Sequence, residues 1–169
     1  MKQIFKKLLI TLTLFSSLAH AFENELYSFI GLQGSSSKYD DLSTPTVALK
    51  YGQQNSIWRT AISLNYAKTG NDRFQTLIAQ VDHGVLTNMF DKLPIKPYIG
   101  FSLGVINHQN DKNPIDSDNG YLYGINGGIN YVLNSNFDID LGYRHLKTDK
   151  LEYIDDISDI TLSLHYYFE

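Results

Sequence analysis

Eight ionisable residues fall inside segments where apolar and polar residues alternate: Lys50, Arg59, Asp82, Asp138, Asp140, Arg144, Asp159 and His165. All share the phase of their small or polar neighbours. Asp138, Asp140 and Arg144, for instance, alternate with Phe137, Ile139, Leu141 and Tyr143. Charges enclosed on one face must pair, because an isolated buried charge is very costly. Arg59 is expected to meet Asp82, and Arg144 to meet Asp159, since each pair lies on consecutive segments. The sharper alternative chemistry for such a face is a proton or ion path. His83, His108, His145 and His165 show no HxxxH or HExxH spacing, so no metal site is expected. Ser163 and His165 are two apart with Asp159 upstream, the nearest approach to a nucleophile, base and acid. They point to the enclosed side, which a lipid ester cannot easily reach, so no catalytic residue is assigned. Asp111 to Gly120 is rich in oxygen ligands suited to a hard cation, but its glycine arrives one position early for an EF-hand loop. A solvated Asp-Asn-Gly turn is the simpler reading. The acids Asp111, Asp116, Asp118, Asp149, Glu152, Asp155 and Asp156 fall between the alternating segments. There they could receive cations or basic partner surfaces, with affinity falling as salt rises. No cofactor is expected.

The elements that must position these residues are strands. The chain has 169 residues, net charge −4, no cysteine, 12 glycines, 12 tyrosines and 9 phenylalanines. That length suits one domain. Missing cysteine excludes a disulfide scaffold, a thiolate zinc site and a cysteine nucleophile. The acidic balance argues against nucleic acid as a partner. No apolar run in the body reaches the roughly 18 residues of a membrane helix. Glycine and aromatic enrichment with little proline points to an all-β fold.

Lys2, Lys6 and Lys7, an apolar stretch from Leu8 to Leu18, and Ala19-His20-Ala21 give the three regions of a secretory signal. Residues 1–21 are expected to be removed and the domain to occupy residues 22–169. Losing the three lysines takes the formal charge from −4 to about −7. No cysteine follows, so a lipid anchor is not expected. Beyond it the dominant period is two. Eight strands are predicted: Leu26 to Ser35, Thr46 to Gly52, Ile57 to Ala67, Phe74 to Gly84, Lys96 to Ile106, Tyr121 to Val132, Phe137 to Leu146 and Ser158 to Phe168. Ser36 to Pro45, Asn107 to Gly120 and Lys147 to Ile157 are predicted as the longer loops, Lys68 to Arg73 as a shorter one. Phe29-Ile30-Gly31-Leu32-Gln33 is echoed by Tyr98-Ile99-Gly100-Phe101-Ser102, too short to define a repeat.

Alternation alone does not say which face points in. Aromatics on the apolar phase cluster near strand ends: Trp58, Tyr131, Phe137 and Phe168 at one, Tyr66, Tyr121 and Tyr143 at the other. Two aromatic girdles around an aliphatic band suit a lipid-facing wall. The opposite phase is rich in small residues, as a narrow lumen needs. With an even strand count both termini share one side, expected to be periplasmic.

The pattern resembles the small eight-stranded outer-membrane barrels, the membrane domain of OmpA and the opacity-type surface proteins. The residues carrying this are the signal, Pro97 to Gly104, Leu141-Gly142-Tyr143-Arg144 and the final strand Leu162 to Phe168. Glu169 departs from the aromatic last residue usual in that group. The resemblance implies an all-β, eight-stranded antiparallel up-and-down transmembrane barrel in the outer membrane, without a peptidoglycan-binding half. Its expected partners are outer-membrane lipid and lipopolysaccharide, and the barrel-assembly machinery during biogenesis. The leading function is a non-enzymatic surface protein that supports envelope integrity and presents acidic loops for adhesion or recognition of an extracellular ligand. The rivals are a narrow channel for small solutes and a lipid-modifying enzyme.

Overall fold

The computed structural model describes residues 26–40, 42–85, 93–110, 118–151 and 154–168. Residues 1–21, expected to be a signal segment, lie outside them. Eight strands run in chain order: β1 Tyr27–Tyr39, β2 Leu42–Gln54, β3 Trp58–Thr69, β4 Asp72–Gly84, β5 Ile95–Asn110, β6 Asp118–Val132, β7 Phe137–Asp149 and β8 Asp156–Phe168. Each pairs antiparallel with its sequence neighbours, and β8 pairs with β1 to close the barrel. Closure gives every strand two partners, which a wall surrounded by lipid requires.

The strands exceed the predicted ones at the end opposite the termini, here called the distal end. Ser36 to Pro45 is not a loop. Tyr39 pairs with Leu42, and Asp40, next to Tyr39, adopts φ 49°. Thr69 likewise pairs with Asp72 around Gly70 at φ 57°. Two-residue hairpin turns favour Gly, Asn and Asp because they tolerate positive φ. Pro45 is accommodated because the β2–β3 ladder begins only at Thr46. Asp118, Asp149 and Asp156, predicted in loops, lie in the ends of β6, β7 and β8. The polar composition of these ends hid them, yet ladder pairing carries on beyond the apolar band.

Leu32, Leu49, Leu64, Leu103, Ile125, Leu141 and Leu162 form an exposed aliphatic band around the outside. Tyr66, Tyr121 and Tyr143 flank it distally, and Trp58, Tyr131 and Phe137 flank it at the terminal end. A water-facing wall would not expose so continuous a belt; a membrane-facing one must.

Candidate functional site

The inward phase builds a lumen in three layers. At the terminal end, Phe29, Ala61 and Tyr167 form a small apolar cluster. Phe29 packs 4.7 Å from the His165 ring and 5.5 Å from Tyr167, centroid to centroid. His165 is fully buried, and its ring occupies space left by Gly31. A Cβ at Gly31 would stand 2.4 Å from His165 Cδ2. Tyr98 reaches across in the same way. Its hydroxyl would lie 2.7 Å from a Cβ on Gly128 and 2.8 Å from one on Gly142. The echoed segments therefore have a shared use. Each sends an aromatic ring into the lumen floor, followed two residues on by a glycine beside a buried polar group, His165 for Gly31 and Asp82 for Gly100.

The middle layer is ionic. Arg59 Nε donates to Asp82 Oδ2 at 2.8 Å, and its Nη2 crosses the lumen to Asp140 Oδ2 at 2.9 Å. The Arg59 guanidinium also lies 4.4 Å from the centroid of the Tyr98 ring. Asp140 accepts a second bond from the Tyr98 hydroxyl at 3.0 Å. Asp82 accepts from Gln80 Nε2 at 2.9 Å and from Asn126 Nδ2 at 2.6 Å. Lys50 is buried within electrostatic reach of Asp140 and Asp82. Higher up, Arg144 pairs with Asp159 through Nε at 2.8 Å and through Nη2. Nearer the floor, Asp138 accepts from Tyr167 at 2.5 Å and Asn130 at 2.6 Å, and meets His165 Nδ1 at 2.8 Å. These oxygens have most of their lone pairs engaged, which is what makes ionised carboxylates tolerable in so enclosed a space.

The distal layer is apolar, and the sequence reading missed it. Tyr39, Ala67, Phe74, Ile78, Ile106, Leu122, Leu146, Ile154 and Ile157 form one buried cluster, with Leu151 packed against it. Tyr39 stacks on Phe74 at 4.2 Å, and Phe74 stacks on His108 at 4.8 Å. His108 Nε2 is 3.0 Å from Asp72 Oδ1. The inward phase is thus not small and polar throughout. The available signal was Ile78, Ile106, Leu122 and Leu146 on the polar phase of their strands. The β7–β8 connection closes over this cluster. Thr148 Oγ1 donates to the Ile154 carbonyl, and the Asp155 main-chain N–H donates to the Asp40 carboxylate at 3.1 Å.

Ser163, His165 and Asp159 do not assemble into a catalytic set. The Ser163 hydroxyl donates to Gln33 Oε1 at 3.3 Å, His165 takes Asp138 as its acid, and Asp159 belongs to Arg144. Of the acids predicted at the mouth, Asp111, Asp116 and Glu152 lie outside the described residues. Asp149 and Asp155 are exposed, while Asp118 and Asp156 are half-buried.

A closed eight-stranded barrel with an apolar belt outside and an ionic, plugged interior defines a class, the small transmembrane β-barrels of the outer membrane. Residues 8–168 match the model of the outer membrane protein beta-barrel domain, and the chain belongs to that family. It is an outer-membrane protein. Among solved structures, Neisserial surface protein A is similar at TM-score 0.68 and 17% identity, over 85% of this chain and 97% of that one. Ail, the attachment invasion locus protein of Yersinia pestis, aligns at TM-score 0.51 and 18% identity, over 87% and 100%. The outer membrane enzyme PagL aligns at TM-score 0.53 and 13% identity, over 82% and 98%. At such identities these likenesses concern the fold. No curated sequence matches the chain.

Proposed function

We propose that the protein is a non-enzymatic surface component of the outer membrane. Its barrel is a sealed anchor, and its distal mouth supports envelope integrity and presents acidic connections for adhesion or recognition. The observation that carries this reading is the filled lumen. An aromatic floor, a cross-lumen ion network and an apolar plug follow one another along the axis. Eight strands leave an interior that side chains just fill, so function moves to the ends. The mouth is anchored on rigid hairpins, and connections held on a rigid scaffold commonly carry binding. Lys50, Arg59, Asp82, Asp138, Asp140, Arg144 and Asp159 act in this reading as structural pairs that hold the cross-section. Asp111, Asp116, Asp118, Asp149, Glu152, Asp155 and Asp156 supply the charge of the mouth. That surface suits cations or basic partner surfaces.

The test replaces residues 111–117 with a two-residue Asn-Gly turn. This spares β5 and β6, which extend to Asn110 and from Asp118. Heat-modifiable gel migration should be unchanged, while adhesion of expressing cells or their envelope phenotype is lost. A variant that keeps every phenotype, together with steady conductance of the parent protein in bilayers, would replace this reading with a channel.

A further inference from the structure

The outer wall carries a groove of about 400 Å³ across β3 to β6, near the distal girdle. Its floor is made by Leu64, Leu77 and Val105, all outward and strongly exposed. Its rim is polar: Asn107, Asn119 and Lys150. Asn107 Nδ2 donates to Asn119 Oδ1 at 2.8 Å, leaving the Asn119 amide nitrogen as a donor. Lys150 adopts φ 68°, a left-handed conformation unusual for lysine, and its ammonium lies 5.0 Å from the centroid of the Tyr121 ring. The side chain thus folds back along the wall instead of extending into solvent. Lys68, Arg73 and Lys147 share the outward phase at the same end. Asp149 lies across the ladder from Tyr121 and is not part of the lining.

We infer that this groove binds a phosphate-bearing acyl lipid of the surrounding leaflet. The aliphatic floor lies level with the hydrocarbon and would take an acyl chain. The rim stands where the wall turns from aliphatic to tyrosine and amide, the depth of headgroups. There the Lys150 ammonium and the Asn119 amide supply a cation and a neutral donor to a phosphate. A soluble protein partner fits less well, because the floor faces lipid. The inference goes beyond the proposed surface role and does not depend on it.

The test uses the protein purified from outer membranes into nanodiscs of phosphatidylcholine, with or without phosphatidic acid of the same acyl chains. Lipid retention is read by native mass spectrometry. The parent protein should retain phosphatidic acid in preference to phosphatidylcholine. Lys150→Gln should lower that retention about fivefold, the effect of removing one lysine near an anionic surface. Val105→Trp, which fills the floor, should abolish retention while heat-modifiable migration stays intact. Lys147→Gln, outside the lining, should retain lipid as the parent does. Equal retention by Lys150→Gln or Val105→Trp would overturn the site. An equal loss in Lys147→Gln would reduce it to the general charge of the wall. Displacement of the lipid by inorganic phosphate alone would overturn the acyl-chain half of the assignment.

Discussion

Replacing Arg59 with methionine tests whether the ionic layer holds the barrel's cross-section. Arg59 is the residue of that layer that bonds two acids from different strands, Asp82 on the adjacent β4 and Asp140 across the lumen on β7. Its side chain is 6% exposed, and those of the two acids are 2% and 1%. Water therefore cannot replace the guanidinium. Breaking a buried pair from one side costs roughly 3–5 kcal/mol. Asp82 would keep donors from Gln80 and Asn126, and Asp140 would keep Tyr98. Those neutral donors hold the loss within that range instead of doubling it. The assay is urea unfolding in lipid vesicles followed by fluorescence of Trp58, the only tryptophan in the chain. Trp58 lies on the outer wall against His83 at 4.5 Å, so the substitution leaves its own contact in place. Pairing Arg59→Met with Asp140→Asn should recover part of the loss, with a coupling of about 1 kcal/mol or more. Pairing it with Asp82→Asn should do the same. A loss below about 1 kcal/mol, or no coupling to either acid, would refute the argument, because an unpaired carboxylate at that depth cannot be cheap.

Leu162→Arg should cost roughly 2–4 kcal/mol near the membrane midplane, because Leu162 is 58% exposed on the outside while neighbouring Thr161 is 6% exposed inside. Spin labels at both positions check the facing; a label at 161 in the acyl chains would reverse it. Gly31→Ala should cost about 1–3 kcal/mol by overpacking the fixed His165 ring, and a neutral effect in the same unfolding assay would contradict the close approach. Arg144→Met should destabilise through Asp159 alone, so its double-mutant cycle should show coupling to Asp159 and none to Asp140. The purified parent protein should show no steady single-channel conductance, since the apolar plug and the aromatic floor leave no water column.

Much of the architecture was legible in the chain because lipid imposes a simple rule. A membrane barrel must alternate strictly, so Trp58 to Tyr66 or Ile160 to Phe168 declares both strand and facing. Its aromatics must gather at two depths, so Trp58 and Tyr143 mark the girdles. The neighbour-strand pairs Arg59–Asp82 and Arg144–Asp159 follow from order and phase once strands are consecutive. Where that rule lapses, above the bilayer, legibility lapses with it. Ser36, Ser37 and Lys38 look like a loop and are strand, because ladder pairing there needs no apolar face.

Other features depended on closure. That Arg59 meets Asp140, 81 positions away, requires β3 and β7 to face each other across a lumen of fixed width. The apolar plug needs residues from most of the strands, together with Ile154 of the β7–β8 connection, to converge at one height. No local pattern encodes such convergence, since each contributing strand supplies only one or two apolar side chains to a phase that otherwise reads as polar. Strand order, facing and location are thus properties of the chain's period and its contact with lipid. What seals the barrel, and which charges balance across it, are decided by tilt and register once the eighth strand meets the first, because only then do distant inward side chains share one enclosed space.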